Sequence, residues 1–167
     1  MFHRAWVARS PRPLFQFPAP WSMGDRSAIW APCDNTRTPE PPIPFHLLEG
    51  SAERIPLAER SMDTIVMTWT GCSIPEIRTA LMDMRRVLKI GGRLLFVEHG
   101  RAPEPSVARW QDRLDPLWLR FSGGCHLNRK IDDLLAEAGF RLDRLETGYI
   151  AGPRIMTFLY EGAAMPR

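Results

Sequence analysis

The most constraining stretch of this chain is residues 63–97, which reads as strand, helix, strand. Asp63 leads into Thr64-Ile65-Val66-Met67, a short apolar run rich in β-branched residues. Ser73 is followed three residues later by Glu76, which predicts a capping box, and Pro75 suits a first helical turn. Ile77, Leu81, Met84 and Leu88 then recur on one helix face, and Gly91-Gly92 predicts the helix stop. Leu94-Leu95-Phe96-Val97 is continuously apolar, as expected of a parallel strand covered on both faces. An open parallel sheet with flanking helices follows, and with it an α/β fold.

Downstream, Ser106 can cap a helix that places Val107, Trp110, Leu114, Trp118 and Phe121 on one side. Core packing is the default for that stripe, with a lid over an acceptor or a lipid contact as alternatives. Pro116 is expected to kink or break this helix. Asn128 can cap a further helix carrying Ile131, Leu134, Leu135 and Ala138, with Gly139 as its stop. Two strands are expected at the end, Phe140 to Leu145 and Ile155 to Tyr160, separated by Gly148, Gly152 and Pro153.

The first 43 residues follow a different grammar. Nine prolines precede Phe45, and no helix or strand period runs through them. The expected division is therefore an irregular segment over 1–43, disordered or non-native, and a folded domain over 44–167. A shifted reading frame or a misplaced start is the favoured origin of that segment. A disordered tail that binds a partner is the alternative.

Composition narrows the function classes. The net charge is +3, and of 22 basic residues only Lys89 and Lys130 are lysine. The arginines are scattered and form no stripe, so no nucleic-acid partner is expected. No apolar run approaches the ~20 residues of a membrane span. The three cysteines, Cys33, Cys72 and Cys125, are too few for a disulfide framework, and a reduced cytoplasmic protein is the simplest expectation. Cys72, Cys125, His99 and His126 match no zinc spacing, so no metal is expected.

Three strand ends carry polar, glycine-containing turns where an open sheet binds ligands: 49–53, 68–72 and 98–101. Ordinary strand-to-helix turns would read the same way. Three further stretches carry a family resemblance. Gly50-Ser51-Ala52-Glu53-Arg54-Ile55-Pro56-Leu57, followed by Ser61-Met62-Asp63, resembles G-D-A-E-x-L-P-F…S-F-D. Arg86-Val87-Leu88-Lys89-Ile90-Gly91-Gly92 resembles R-V-L-K-P-G-G, and Gly139-Phe140 resembles A-G-F. Together they resemble the class I S-adenosylmethionine-dependent methyltransferases of the type 11 superfamily, over about Phe45 to Tyr160. The runs GCSIP, VEHGRAP, WQDRLDPLW and GGCHLNR look like the methyltransferase-like subfamily that includes thiol methyltransferases.

The resemblance implies an incomplete Rossmann-like methyltransferase sheet with flanking helices and methyl transfer from S-adenosylmethionine to a small thiol or lipid-like acceptor. It implies cofactor contacts at Ser51, Ala52, Glu53, Thr68 and Trp69. Ser51 stands where the family has an aspartate that contacts the adenine amine. Trp69 as a simple core residue is the alternative. His99 and His126 are the candidates for a catalytic base, against structural or solvent-facing roles. The family's glycine loop, E/D-x-G-x-G-x-G, has no counterpart, since G-x-G occurs nowhere in the chain. Weak cofactor binding is therefore expected. The competing reading is a non-catalytic remnant, pseudoenzyme or interaction module.

Overall fold

The computed structural model describes Leu48 and residues 50–167. The expected boundary at residue 43 lies outside the described residues. Within them the order is β1 (Met62–Thr68), α1 (Ile77–Val87), β2 (Leu88–His99), α2 (Pro105–Phe121), α3 (Ile131–Glu137), β3 (Phe140–Tyr149) and β4 (Phe158–Pro166). The sheet runs β1-β2-β4-β3. β1 and β2 are parallel, with Ile65 opposite Leu94 and Met67 opposite Phe96. β4 is antiparallel to both of its neighbours, β2 and β3.

The α1 crossover explains the parallel pair. Ile77, Ala80, Leu81, Met84 and Val87 are its buried residues. They join a core with Ile65 and Met67 of β1 and Leu94 and Phe96 of β2. Burying Leu81, Leu94 and Phe96 essentially completely contributes about 1.5–3 kcal/mol each.

Both ends of α1 differ from expectation. The helix starts at Ile77 with Glu76 as N-cap, and no side chain of its own caps it. Instead the Glu76 N–H donates to the Glu53 carboxylate at 3.1 Å, so an acid from the preceding turn occupies the positive helix end. The carbonyls of Ile74 and Pro75 are taken by the Arg129 guanidinium, which holds Ser73–Pro75 in a turn. At the other end the helix stops at Val87, ahead of the glycines, because Leu88 is already extended and paired with Met62. Gly91, at φ +80°, and Gly92 serve the irregular entry into β2. A Cβ at Gly92 would crowd the carbonyls of Lys89 and Asp63.

α2 also departs from its pattern. Pro116 lies inside a helix that continues for 17 residues. Its first turn begins at Pro105, after Glu104, and Ser106 does not cap it. The buried face is Ala108, Gln111 and Asp115, while Trp110, Leu117 and Phe121 are exposed. Of the apolar stripe, Trp110 and Phe121 are exposed, Val107 packs against the core, and Leu114 and Trp118 are half-buried. On the buried face, the Gln111 amide accepts from the Ala102 N–H and donates to the carbonyls of Gly100 and Ile155. α3 starts after Lys130 without an Asn128 cap, since the Asn128 amide donates to Asp112. β3 extends past Gly148 to Tyr149 and β4 starts only at Phe158, so the connecting loop is 150–157.

Candidate functional site

The parallel strands β1 and β2 end side by side, and the loop after β1 is fixed by a buried carboxylate. Glu98, fully buried near the end of β2, accepts the N–H groups of Thr70 and Gly71 at 2.9 Å and of Cys72 at 3.2 Å. Burial raises its pKa, and these three donors pull the other way. From the far side, Arg129 donates to the Gly71 and Ile74 carbonyls at 2.5 and 2.7 Å. Loop 69–75 is thus held by a buried acid and a half-buried base.

This clamp positions a pocket of about 420 Å³. Its walls include Trp69, Trp118, Leu127 and Met156, and its polar floor is Cys72, His99 and Cys125. Trp69, in a left-handed conformation at φ 50°, is half-exposed and stacks on the His99 ring at 5.8 Å. It is therefore not a core residue.

The two thiols lie 3.3 Å apart, and the Cys125 sulfur is 3.2 Å from His99 Nε2. The two thiols share one hydrogen bond, and Cys72 is the more deeply buried of the two. That bond and burial together push the Cys72 thiol well up. The same hydrogen bond lowers the Cys125 thiol. The Trp118 indole N–H is buried and has no hydrogen-bond partner among the described residues.

Of the sequence candidates, Trp69 and His99 line this pocket. His126 does not: its Nδ1 lies 2.9 Å from an Asp115 carboxylate oxygen, and its backbone N–H donates to the Cys72 carbonyl. Ser51, Ala52 and Glu53 share a tight turn closed by a bridge from Ser51 to Arg54. Ser51 is exposed and its hydroxyl accepts the Glu53 N–H at 3.2 Å, while Ala52 is buried. Thr68 closes β1. Glu98 was legible only as part of the 98–101 strand end and Trp118 only within the α2 stripe, while Arg129 has no signal in the sequence, because its side-chain partners lie 54 or more residues away.

Comparison with known proteins follows this geometry. Residues 24–96 match a family described as a methyltransferase domain. Thiol S-methyltransferase TMT1B of Rattus norvegicus is 42% identical over 91 residues, which is 54% of this chain and 37% of that protein. Human thiol S-methyltransferase TMT1A is 35% identical over 99 residues, covering 58% and 39%. These stretches are similar to S-adenosylmethionine-dependent methyltransferases, and the family match covers under half of the chain. The chain spans well under half the length of these curated relatives. A SAM-dependent methyltransferase from Methanosarcina mazei shares the fold at a TM-score of 0.55 and 20% identity, over 70% of this chain and 65% of that one. The mixed α/β sheet described above is the part of the methyltransferase fold that this chain shows.

S-adenosylmethionine is the methyl donor of this family. The described residues fit it in part. The turn 51–54 offers the buried Ala52 backbone and a hydroxyl, and Trp69 presents an exposed ring at the end of β1.

Proposed function

We propose that this chain represents an S-adenosylmethionine-dependent methyltransferase whose acceptor is a small thiol bound in the pocket between Trp69 and Trp118. The observation that carries this reading is the pocket itself: apolar walls over a floor of two thiols and an imidazole, beyond the carboxyl ends of two parallel strands. Apolar walls suit the carbon skeleton of a small thiol, and the floor can hold its sulfur. The relatives named as thiol S-methyltransferases support the acceptor class.

The cofactor supplies an activated methyl group, and the protein aligns donor and acceptor. Ser51, Ala52 and Trp69 are the residues here that would hold its adenine side. A thiol ionises near pH 8.5, so a site that favours the anion by even about 1.4 kcal/mol raises the reactive fraction at neutral pH roughly tenfold. The buried Trp118 N–H, lacking a partner among the described residues, is a donor suited to that anion.

The test is direct. The purified chain is mixed with S-adenosylmethionine carrying a heavy-isotope methyl group and a small alkyl thiol, and the methyl thioether is sought by mass spectrometry. A labelled thioether above the protein-free background is expected. No product, from a chain shown to bind both molecules, would support the non-catalytic reading that the missing glycine loop raises.

A further inference from the structure

The pocket floor collects one side chain from each of three separate places. Cys72 comes from the loop after β1, His99 is the last residue of β2, and Cys125 lies in the turn after α2. Their ligand atoms all lie within 4.8 Å of one another. The thiol pair is 3.3 Å apart, and Cys125 Sγ is 3.2 Å from His99 Nε2. A tetrahedral zinc ion, with bonds of about 2.3 Å to sulfur and about 2.0–2.1 Å to nitrogen, sets S···S edges near ~3.8 Å and S···N edges near ~3.6 Å. These two edges need to open by only about 0.4–0.5 Å on that standard, within reach of side-chain torsions. One ring movement is also required. Nδ1 is 3.9 Å from the same sulfur, so the sulfur sits beside the N–C–N edge of the imidazole and Nε2 must turn toward the centre of the cluster.

We propose that Cys72, His99 and Cys125 bind a single zinc ion, with a fourth coordination position open to the pocket. Two thiolates and a neutral imidazole balance the charge of the divalent ion, and three protein ligands with one free position is the pattern of reactive rather than purely structural zinc.

The frame around the ligands is already built. Glu98 and Arg129 fix the backbone that carries Cys72 from its two sides. The His126 N–H donates to the Cys72 carbonyl at 2.8 Å, which ties the two cysteine-bearing segments together. The Ser122 hydroxyl bonds both the N–H and the carbonyl of Cys125 at 3.2 Å. Ligands held by their backbones need little reorganisation to bind, which is the condition for a tight metal site. A redox pair of Cys72 and Cys125 would use the two sulfurs alone. It would leave unexplained why His99 completes the cluster and why the cluster faces a pocket.

The open position gives the site a task, and this part rests on the thiol-acceptor reading above. A thiol that enters it forms an S–Zn bond, displaces bound water and releases its S–H proton to solvent. The sulfur is then held as the thiolate at neutral pH, with its carbon chain against Trp69 and Trp118.

The full chain is purified, loaded with zinc or cobalt(II), and freed of excess metal. We expect zinc stoichiometric with the chain by elemental analysis. The cobalt form should show a near-ultraviolet thiolate-to-metal charge-transfer band and the intense visible bands of a tetrahedral ion. Cys125→Ser should weaken metal binding by more than the ~10–100-fold typical of outer-shell changes, and Cys72→Ser should do the same. Arg78→Ala, which removes an exposed ion pair with Glu137, should bind normally. A small alkyl thiol added to the cobalt form should shift the charge-transfer band. The proposal is overturned if the folded chain, by circular dichroism, shows no such band, or if the band survives in Cys125→Ser. A Cys72–Cys125 disulfide as the resting state would also overturn it. A band that thiol leaves unmoved would overturn the open position. Zinc binding without methyl transfer would sink the methyltransferase reading and leave the metal site standing. Methyl transfer by the metal-free chain would leave the thiol-acceptor reading standing and overturn the role given to the open position.

Discussion

Asp83 shows how much one side chain settles in this chain. It sits on α1, accepts the Ile55 N–H at 2.6 Å, and pairs with Arg86, whose guanidinium also donates to the carbonyls of Ile55 and Leu57. The segment after the 51–54 turn is thereby tied to the helix. The Arg86 hydrogen bond holds the Asp83 carboxyl below its usual range. A depressed carboxylate contributes stability that is fully present above the unfolded value, about pH 3.9, and is lost as pH falls through the folded value. Asp83→Asn is expected to cost about 1.5–3 kcal/mol at pH 7, the scale of a hydrogen bond to a charged group. It should also flatten the fall in stability below about pH 4, measured by urea unfolding at a series of pH values. An equally steep acid limb in the variant would assign that limb to other carboxylates. Glu98 has the opposite sign. Burial raises it, so its ionised form opposes folding, and its contribution declines as pH rises through the raised value. Glu98→Gln keeps the shape but presents an amide to three N–H donors. We expect a loss of about 2–3 kcal/mol, read by the same unfolding method.

Elements follow different rules, and α2 makes the point. Its exposed aromatics contribute area to the surface, whereas Gln111 bonds three backbone groups in two loops. Gln111→Ala should therefore destabilise by about 2–3 kcal/mol, leaving buried groups unpaired. Phe121→Ser should change stability by no more than about 0.5 kcal/mol. Thermal denaturation of the two variants side by side checks this, and a larger effect at Phe121 would show that the exposed stripe is packed in solution. The same helix shows what was legible in the sequence. The strand–helix–strand unit was legible because its periods of 2 and 3.6 report burial directly, and Ile65, Leu81 and Phe96 are where they should be. The stripe on α2 was legible only in part, with Val107 on the core and Trp118 on the pocket, because periodicity reports amphipathicity without saying which face meets the core. The capping box at Ser73 misled because its two N–H groups are satisfied elsewhere, that of Glu76 by the Glu53 carboxylate and that of Ser73 by the Thr70 carbonyl. The turn at 51–53 was legible as a turn, and the Ser51–Arg54 bridge closes it. The thiol–imidazole floor was not, since its members are separated by 26 residues or more and no spacing rule connects them.

At the scale of the molecule, the question is how much of the family's cofactor chemistry this chain carries. The described residues offer the 51–54 turn and the Trp69 ring, which we propose for the adenine side, and G-x-G occurs nowhere in the sequence. Binding gains depend on a pre-formed site, and a missing charged partner alone costs about 1.5–3 kcal/mol. We expect an affinity for S-adenosylmethionine about a hundred- to a thousandfold below that of a complete site, at roughly 1.4 kcal/mol per tenfold. The turn offers a way to test this by gain rather than loss. Ser51 is exposed, and its hydroxyl already accepts the Glu53 N–H, a role an aspartate can also fill. Ser51→Asp would restore the acid that the family resemblance places beside the adenine amine. For an exposed hydrogen bond to a charged group, the gain should be about 0.5–1.5 kcal/mol, or roughly two- to tenfold. Trp69→Ala should remove what binding the parent chain has. Calorimetry on the three chains, with S-adenosylhomocysteine as a second ligand, reads all of this. A dissociation constant already micromolar in the parent chain, and unmoved by either substitution, would place the cofactor elsewhere than the 51–54 turn and the end of β1.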